Sequence, residues 1–246
     1  MEDIIEAEDI SFSYGGCSVF SNISFSVERG DFAAVIGSNG SGKSTLMRLI
    51  LNEAESGSGS IRLFNQDIRH FKGWSKIGYV PQNVLALASG FPATAEEIVK
   101  ANLFGDIGLF RFPKKKHHEK ALAALQMVGM EGLAKKMIGE MSGGQQQRVM
   151  IARTLVSNPK LMLLDEPATG IDSETVDLLY KLLSRLNREK GLTIVMVTHD
   201  ILRASKYVSR VLCLEEGSLV ELDKCQVNEE LSHRHKHPER NSGKKE

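Results

Sequence analysis

Gly37-Ser38-Asn39-Gly40-Ser41-Gly42-Lys43-Ser44-Thr45 has the residue types and spacing to hold a chain of phosphates. Its glycines let the backbone curl until successive N–H groups point inward at phosphate oxygens. The helix expected to follow adds the positive end of its dipole. Lys43 has the reach to meet β- and γ-phosphates, and the Ser44 hydroxyl suits a Mg²⁺ ion. A second chemical element lies far downstream, where the apolar run Leu161-Met162-Leu163-Leu164 ends in Asp165-Glu166-Pro167. At the carboxyl end of a strand in an open parallel sheet, paired acids face the ligand crevice. There Asp165 can hold the magnesium shell, and Glu166 can orient and deprotonate an attacking water. His199 closes another apolar run, Ile194 to Thr198, and Gln82 follows Tyr79-Val80-Pro81. Taken alone, each of these two residues reads as well as a structural strand-end or turn residue.

Strand and helix patterns alternate along the chain in the way that positions such groups. Ile4 to Phe12 and Val19 to Val27 alternate as half-buried strands. Phe32 to Ile36 is a short apolar strand entering the glycine loop, and Lys43 to Leu51 reads as the helix leaving it. Ile61 to Phe64 and Ile77 to Pro81 are further strands. The pattern is helical over Ala95 to Asn102, Lys115 to Gly129 and Gly143 to Ser157, then returns to buried strands at Leu161 to Asp165 and Thr193 to Thr198. Val211 to Leu214 and Ser218 to Leu222 form a hairpin about Glu216-Gly217. This alternation predicts an α/β fold with a parallel sheet between helices.

Composition narrows the function classes. The chain has 246 residues, 41% hydrophobic and 25% charged, which is ordinary globular usage. Lys and Arg together number 31, as do Asp and Glu, so no global charge points to nucleic acid or anionic lipid. The acidic opening Met1 to Glu6 is not a secretory signal, and no apolar run approaches the roughly 20 residues that span a bilayer. Cys17, Cys213 and Cys225 form no CxxC pair and read as reduced, small apolar fillers. Lys114-Lys115-Lys116-His117-His118 reads as a solvated helix start.

Between the two chemical elements lies Ser142-Gly143-Gly144-Gln145-Gln146-Gln147-Arg148. Ser142 is a good helix N-cap, and the glycines permit close approach of backbone to an anion. A chain that already has one complete phosphate loop has no internal need of a second. This stretch, in this order relative to the phosphate loop and the acidic strand, resembles the signature of the ATP-binding-cassette (ABC) family. The resemblance covers roughly residues 4 to 224 and implies a P-loop core sheet, an antiparallel β subdomain and an inserted helical subdomain at about 88–159, all within a domain of residues 1–227. It implies two chains holding two ATP molecules between them, with Ser142, Gly143, Gly144 and Gln145 closing over the nucleotide of the partner. By the same resemblance Tyr14 stacks on adenine, Gln82 reaches Mg²⁺ and the water, His199 contacts the γ-phosphate, and Asp172 crosses the dimer interface. Ala168-Thr169-Gly170-Ile171-Asp172 departs from the commoner Ser-Ala-Leu-Asp version of that loop.

Phe91 to Val99, Gly108 to Arg111 and Thr169 to Asp172 look most like cassettes of zinc and manganese importers. That likeness implies a peripheral ATPase at the cytoplasmic face of the membrane. It would work with permease subunits and an extracytoplasmic substrate-binding protein, and without nucleic acid. Iron-siderophore, cobalamin and phosphonate cassettes share much of this framework, and other ABC ATPases serve nucleic-acid processing. After Val227 apolar residues almost vanish, so 228–246 reads as a disordered tail. Its alternating His233, His235 and His237 suit weak Zn²⁺ binding, although zinc prefers four ligands.

Overall fold

A computed structural model describes residues 2–82, 92–108, 111–223 and 226–227. Its centre is a six-stranded sheet built from β3 (Phe32–Ile36), β6 (Ile77–Val80), β7 (Leu161–Asp165), β8 (Thr193–Val197), β9 (Arg210–Glu215) and β10 (Ser218–Leu222), in the order β10-β9-β3-β8-β7-β6. Neighbours from β9 to β6 run parallel, and only β10 is antiparallel. Every residue of β3, β7 and β8 is buried, the expected state of parallel strands covered on both faces. Alternation along β7 sends Met162 and Leu164 to one face and Leu161 and Leu163 to the other.

The first face packs on helices, among them α5 (Gly143–Leu155) and α6 (Ser173–Lys190). The second packs on α1 (Lys43–Ile50) through Leu46, Met47 and Ile50. Beyond α1 lies a four-stranded antiparallel sheet of β1 (Asp3–Tyr14), β2 (Cys17–Glu28), β4 (Ser58–Leu63) and β5 (Gln66–Asp67), ordered β2-β1-β4-β5. Helices α2 (Ala95–Ala101), α3 (Phe104–Ile107) and α4 (Lys115–Met127) lie between β6 and α5 in sequence. Ala95, Val99, Ala121, Leu125, Val149 and Ile151 from α2, α4 and α5 share one apolar core. A last short helix, α7 (Ile201–Ala204), follows β8. None of the helices in the described residues is long and apolar enough to cross a membrane.

Two local expectations are corrected. Cys17 is exposed at the start of β2 rather than filling a core, and Cys213 is partly exposed; Cys225 lies outside the described residues. The Lys114–His118 cluster is not wholly solvated. His117 is buried because its Nδ1 accepts the Lys114 N–H at 2.8 Å, which folds the ring back over the first turn of α4. His118 Nδ1 lies 2.6 Å from Oε1 of Glu96, a carboxylate only 2% exposed. Lys100 and Lys135 also bind Glu96, at 3.1 and 2.7 Å. Burial alone would raise the Glu96 carboxyl, but the hydrogen bonds from Lys135, His118 and Lys100 together outweigh it and hold the group at about 2. A folded pKa below the unfolded one contributes stability that is present above the unfolded value and lost as pH falls toward 2. Glu96→Gln therefore removes a buried charge from three partners, two of them solvent-exposed, and is expected to cost about 1–2 kcal/mol at pH 7. In urea titrations the gap to the parent should close progressively between about pH 4.5 and pH 2.

Candidate functional site

Four strand ends converge on one edge of the parallel sheet, each delivering a polar group. The first, β3, runs into the glycine loop. Gly37 has φ 149° and lies so close to the sheet that a Cβ there would overlap the Leu214 carbonyl oxygen of β9. Gly42, at φ 102°, caps α1, and a Cβ on it would lie 2.6 Å from Val19 of β2. Neither position accepts a side chain, so the loop is wedged between both sheets. Lys43, only 6% exposed, donates from Nζ to the carbonyls of Gly37 at 3.0 Å and Ser38 at 2.7 Å. Ser38, Asn39 and Gly40 form the exposed rim of the loop, whereas Thr45 is buried beneath it.

The second strand end is that of β7. Asp165 is buried, and its Oδ1 has no hydrogen-bond partner among the described residues. Burial and then the neighbouring Glu166 charge push its carboxyl above the ordinary range, partly offset by the Ser44 hydroxyl and the Lys43 ammonium. An orphaned carboxylate oxygen beside a serine hydroxyl is the donor set that a hard, oxygen-seeking dication prefers. Glu166 sits at φ 45°, a backbone state that side-chain-bearing residues adopt rarely and that concentrates at functional sites. Its N–H is held by the Val197 carbonyl at 3.0 Å.

β6 and β8 complete the site. Gln82 follows β6 and donates from Nε2 to Glu166 Oε2 at 3.4 Å. His199 follows β8, with Nδ1 3.2 Å from the same oxygen. The preceding Thr198 is anchored on two sides, its N–H by the Val35 carbonyl at 3.1 Å and its hydroxyl 3.2 Å from the Tyr180 hydroxyl of α6. Tyr14, at the end of β1, is half exposed, meets Phe12 edge-on with centroids 4.7 Å apart, and accepts a 2.9 Å hydrogen bond from Arg48 of α1.

The remaining predicted residues form a separate group. Ser142 and Gln145 close a capping box at the start of α5, with Gln145 N–H donating to Ser142 Oγ at 3.3 Å and Ser142 N–H to Gln145 Oε1 at 3.1 Å. The glycines between them have a packing reason that sequence alone does not show. A Cβ on Gly144 would overlap Thr175 in the first turn of α6, so the two helix starts are pressed together. Gly143 beside it is partly exposed. Asp172 caps α6 by accepting the Thr175 N–H at 3.0 Å, and those backbone and hydroxyl bonds hold its carboxyl below the usual range. Among the described residues no hydrogen bond joins this group to the phosphate loop. The structure adds Thr169 to the site: its hydroxyl donates to Glu166 Oε2 at 3.0 Å, a contact for which the only sequence signal is its place three residues after the acid. His233, His235 and His237 lie outside the described residues.

Comparison with known proteins agrees with this architecture. The family model described as ABC transporter matches residues 20–169. The zinc uptake system ATP-binding protein ZurA of Listeria monocytogenes is 44% identical, over 88% of this chain and 84% of its own. The manganese transport system ATP-binding protein MntB of Bacillus subtilis is 39% identical, over 85% and 82%. A solved dimeric ATP-binding cassette in a post-hydrolysis state, bound to ADP and Pi, is 30% identical with a TM-score of 0.73, covering 89% of this chain and 99% of that one. A phosphate loop, an acidic strand end and a separate glycine-led helix start, on a fold shared across these proteins, place the chain in the ABC transporter family as an ATP-binding subunit that hydrolyses ATP to drive transport.

Proposed function

We propose that the chain powers uptake of a divalent metal ion, zinc or manganese, through a separate membrane permease. The observation that carries this reading is the 44% and 39% identity to zinc and manganese uptake cassettes over most of the chain. The chain sits at the cytoplasmic face as a peripheral subunit and works as a homodimer. An extracytoplasmic binding protein delivers the metal, and no nucleic acid takes part.

In each site the curled backbone from Gly37 to Thr45 binds the phosphates, Lys43 turns from the loop carbonyls to the β- and γ-phosphates, and Tyr14 stacks on adenine. Ser44, Asp165 and Gln82 hold Mg²⁺, which supplies charge neutralisation at the transferring phosphoryl group. Glu166 takes the proton of the attacking water, Gln82 reaches that water as well, and His199 contacts the γ-phosphate. Ser142, Gly143, Gly144 and Gln145 meet the γ-phosphate held by the partner subunit, and Asp172 crosses beside them. The γ-phosphate thus bridges two chains, and its hydrolysis releases the closed dimer.

Uptake of radiolabelled Zn²⁺ and Mn²⁺ by cells lacking this chain tests the substrate class. Uptake of one of the two should fall to background and return with the parent gene but not with Lys43→Ala. Unchanged uptake of both metals, alongside a defect in siderophore or cobalamin uptake, would overturn the metal reading and leave the ATPase intact.

A further inference from the structure

Glu166 leaves β7 in a closed turn. Pro167 occupies its second position, where its fixed φ is favoured, and the Thr169 N–H returns to the Glu166 carbonyl at 3.1 Å. That turn carries the Thr169 hydroxyl onto the Glu166 side chain, where Oγ1 donates to Oε2 at 3.0 Å. Gln82 Nε2 and His199 Nδ1 approach the same oxygen at 3.4 and 3.2 Å. Among the described residues, every hydrogen bond to this carboxylate ends on Oε2, and Oε1 receives none.

The three contacts are not equivalent. Gln82 is the most distant, and the His199 side chain is 58% exposed on a strand end of its own. Thr169 makes the shortest contact and is covalently close, so its hydroxyl stays on Oε2 while the turn stays closed. A β-branched side chain is stiff at χ1, which holds the hydroxyl in one orientation.

We propose that Thr169 is a positioning residue for hydrolysis: its hydroxyl fixes the rotation of the Glu166 carboxylate so that Oε1 is the oxygen presented to the attacking water. The role rests on the reading of Glu166 as general base. Thr169 touches neither nucleotide nor water; it acts through Glu166. In the step it supports, a water oxygen bonds to the γ-phosphorus, the bond to the β,γ-bridging oxygen breaks, and the water proton passes to Oε1 as ADP leaves.

The test is phosphate-release kinetics on the full-length dimer with ATP titrated, for Thr169→Val, Thr169→Ala and Thr169→Ser, each made in the parent and in Glu166→Gln. A hydrogen bond to a charged group is worth enough to change a rate about tenfold or more. Thr169→Val should lower kcat by about that factor with KM for ATP within about twofold, and Thr169→Ala should behave alike if the valine variant folds poorly. Thr169→Ser, which keeps the hydroxyl, should recover most of kcat. In the Glu166→Gln background Thr169→Val should add no further loss, because both changes act through one carboxylate. A slow Glu166→Gln beside Thr169→Val and Thr169→Ala of parental kcat overturns the role of Thr169 alone. So does a Thr169→Ser as slow as the valine variant, or a loss carried in KM. Near-parental turnover by Glu166→Gln overturns the base assignment itself, and this role with it.

Discussion

Glu166→Gln is expected to bind ATP with parental affinity and to hydrolyse it roughly 100- to 10,000-fold more slowly, the usual worth of a general base. The substitution keeps the size and shape of the side chain and an oxygen that can still accept from the Thr169 hydroxyl. What it removes is the capacity to take a proton. If the γ-phosphate bridges two chains as proposed, and hydrolysis removes that bridge, the variant should also accumulate as a dimer in ATP and return to monomer when ATP is withdrawn. Phosphate release and size-exclusion chromatography read the two effects separately. Near-normal turnover would remove Glu166 from the chemistry; slow turnover without dimer accumulation would leave the base in place and count against the bridging nucleotide.

The second large effect concerns which chain supplies which half of the site. Lys43→Ala deletes a buried ammonium that spans two loop carbonyls; if that ammonium makes the proposed charge-assisted contact to phosphate, ATP affinity itself should fall. Ser142→Arg places a long cation at the start of α5 and removes the capping oxygen, at a cost of about 1 kcal/mol to the helix. Each variant alone should be inactive. In a mixture, a dimer containing one chain of each kind has one site with an intact phosphate loop facing an intact Ser142. Equal amounts paired at random should regain about a quarter of the parental rate, since half the dimers are mixed and each holds one good site of two. Confirmed mixed dimers without activity would mean that Ser142 does not serve the nucleotide of its neighbour.

Much of the site was legible because the parallel strands that carry it are buried on both faces and so appear as short, nearly unbroken apolar runs. Phe32–Ile36, Leu161–Asp165 and Thr193–Val197 each stop where a glycine or polar residue begins, and those stops are the site. Helix α6 was harder to see. Its apolar face, Val176, Leu179, Tyr180, Leu183 and Leu186, does recur at helical spacing between Asp172 at one end and a left-handed Gly191 at the other, with charged residues on the opposite face, but it carries no residue whose chemistry draws the eye. The link from Glu96 to His118 and Lys135 joins positions 22 and 39 residues apart, a separation on which local periodicity carries no information. Gly144 illustrates a third kind of failure. In the sequence its residue type points to close approach of an anion, while its immediate constraint is the Thr175 methyl of its own chain.

The position of β3 has a consequence for the order of events during synthesis. This strand is made early, yet its neighbours in the sheet are β8, with Phe32 paired to Ile194, and β9, with Ala33 paired to Arg210. The wall behind Gly37 is the carbonyl of Leu214. At about 5–20 residues per second, a ribosome needs roughly 10–30 s to travel from β3 to β8 and β9. Throughout that interval the nascent chain carries a finished phosphate-loop sequence without the strands that shape it. Nucleotide binding is therefore a property that the chain acquires late and as a whole, once its last third has closed around a strand made in its first.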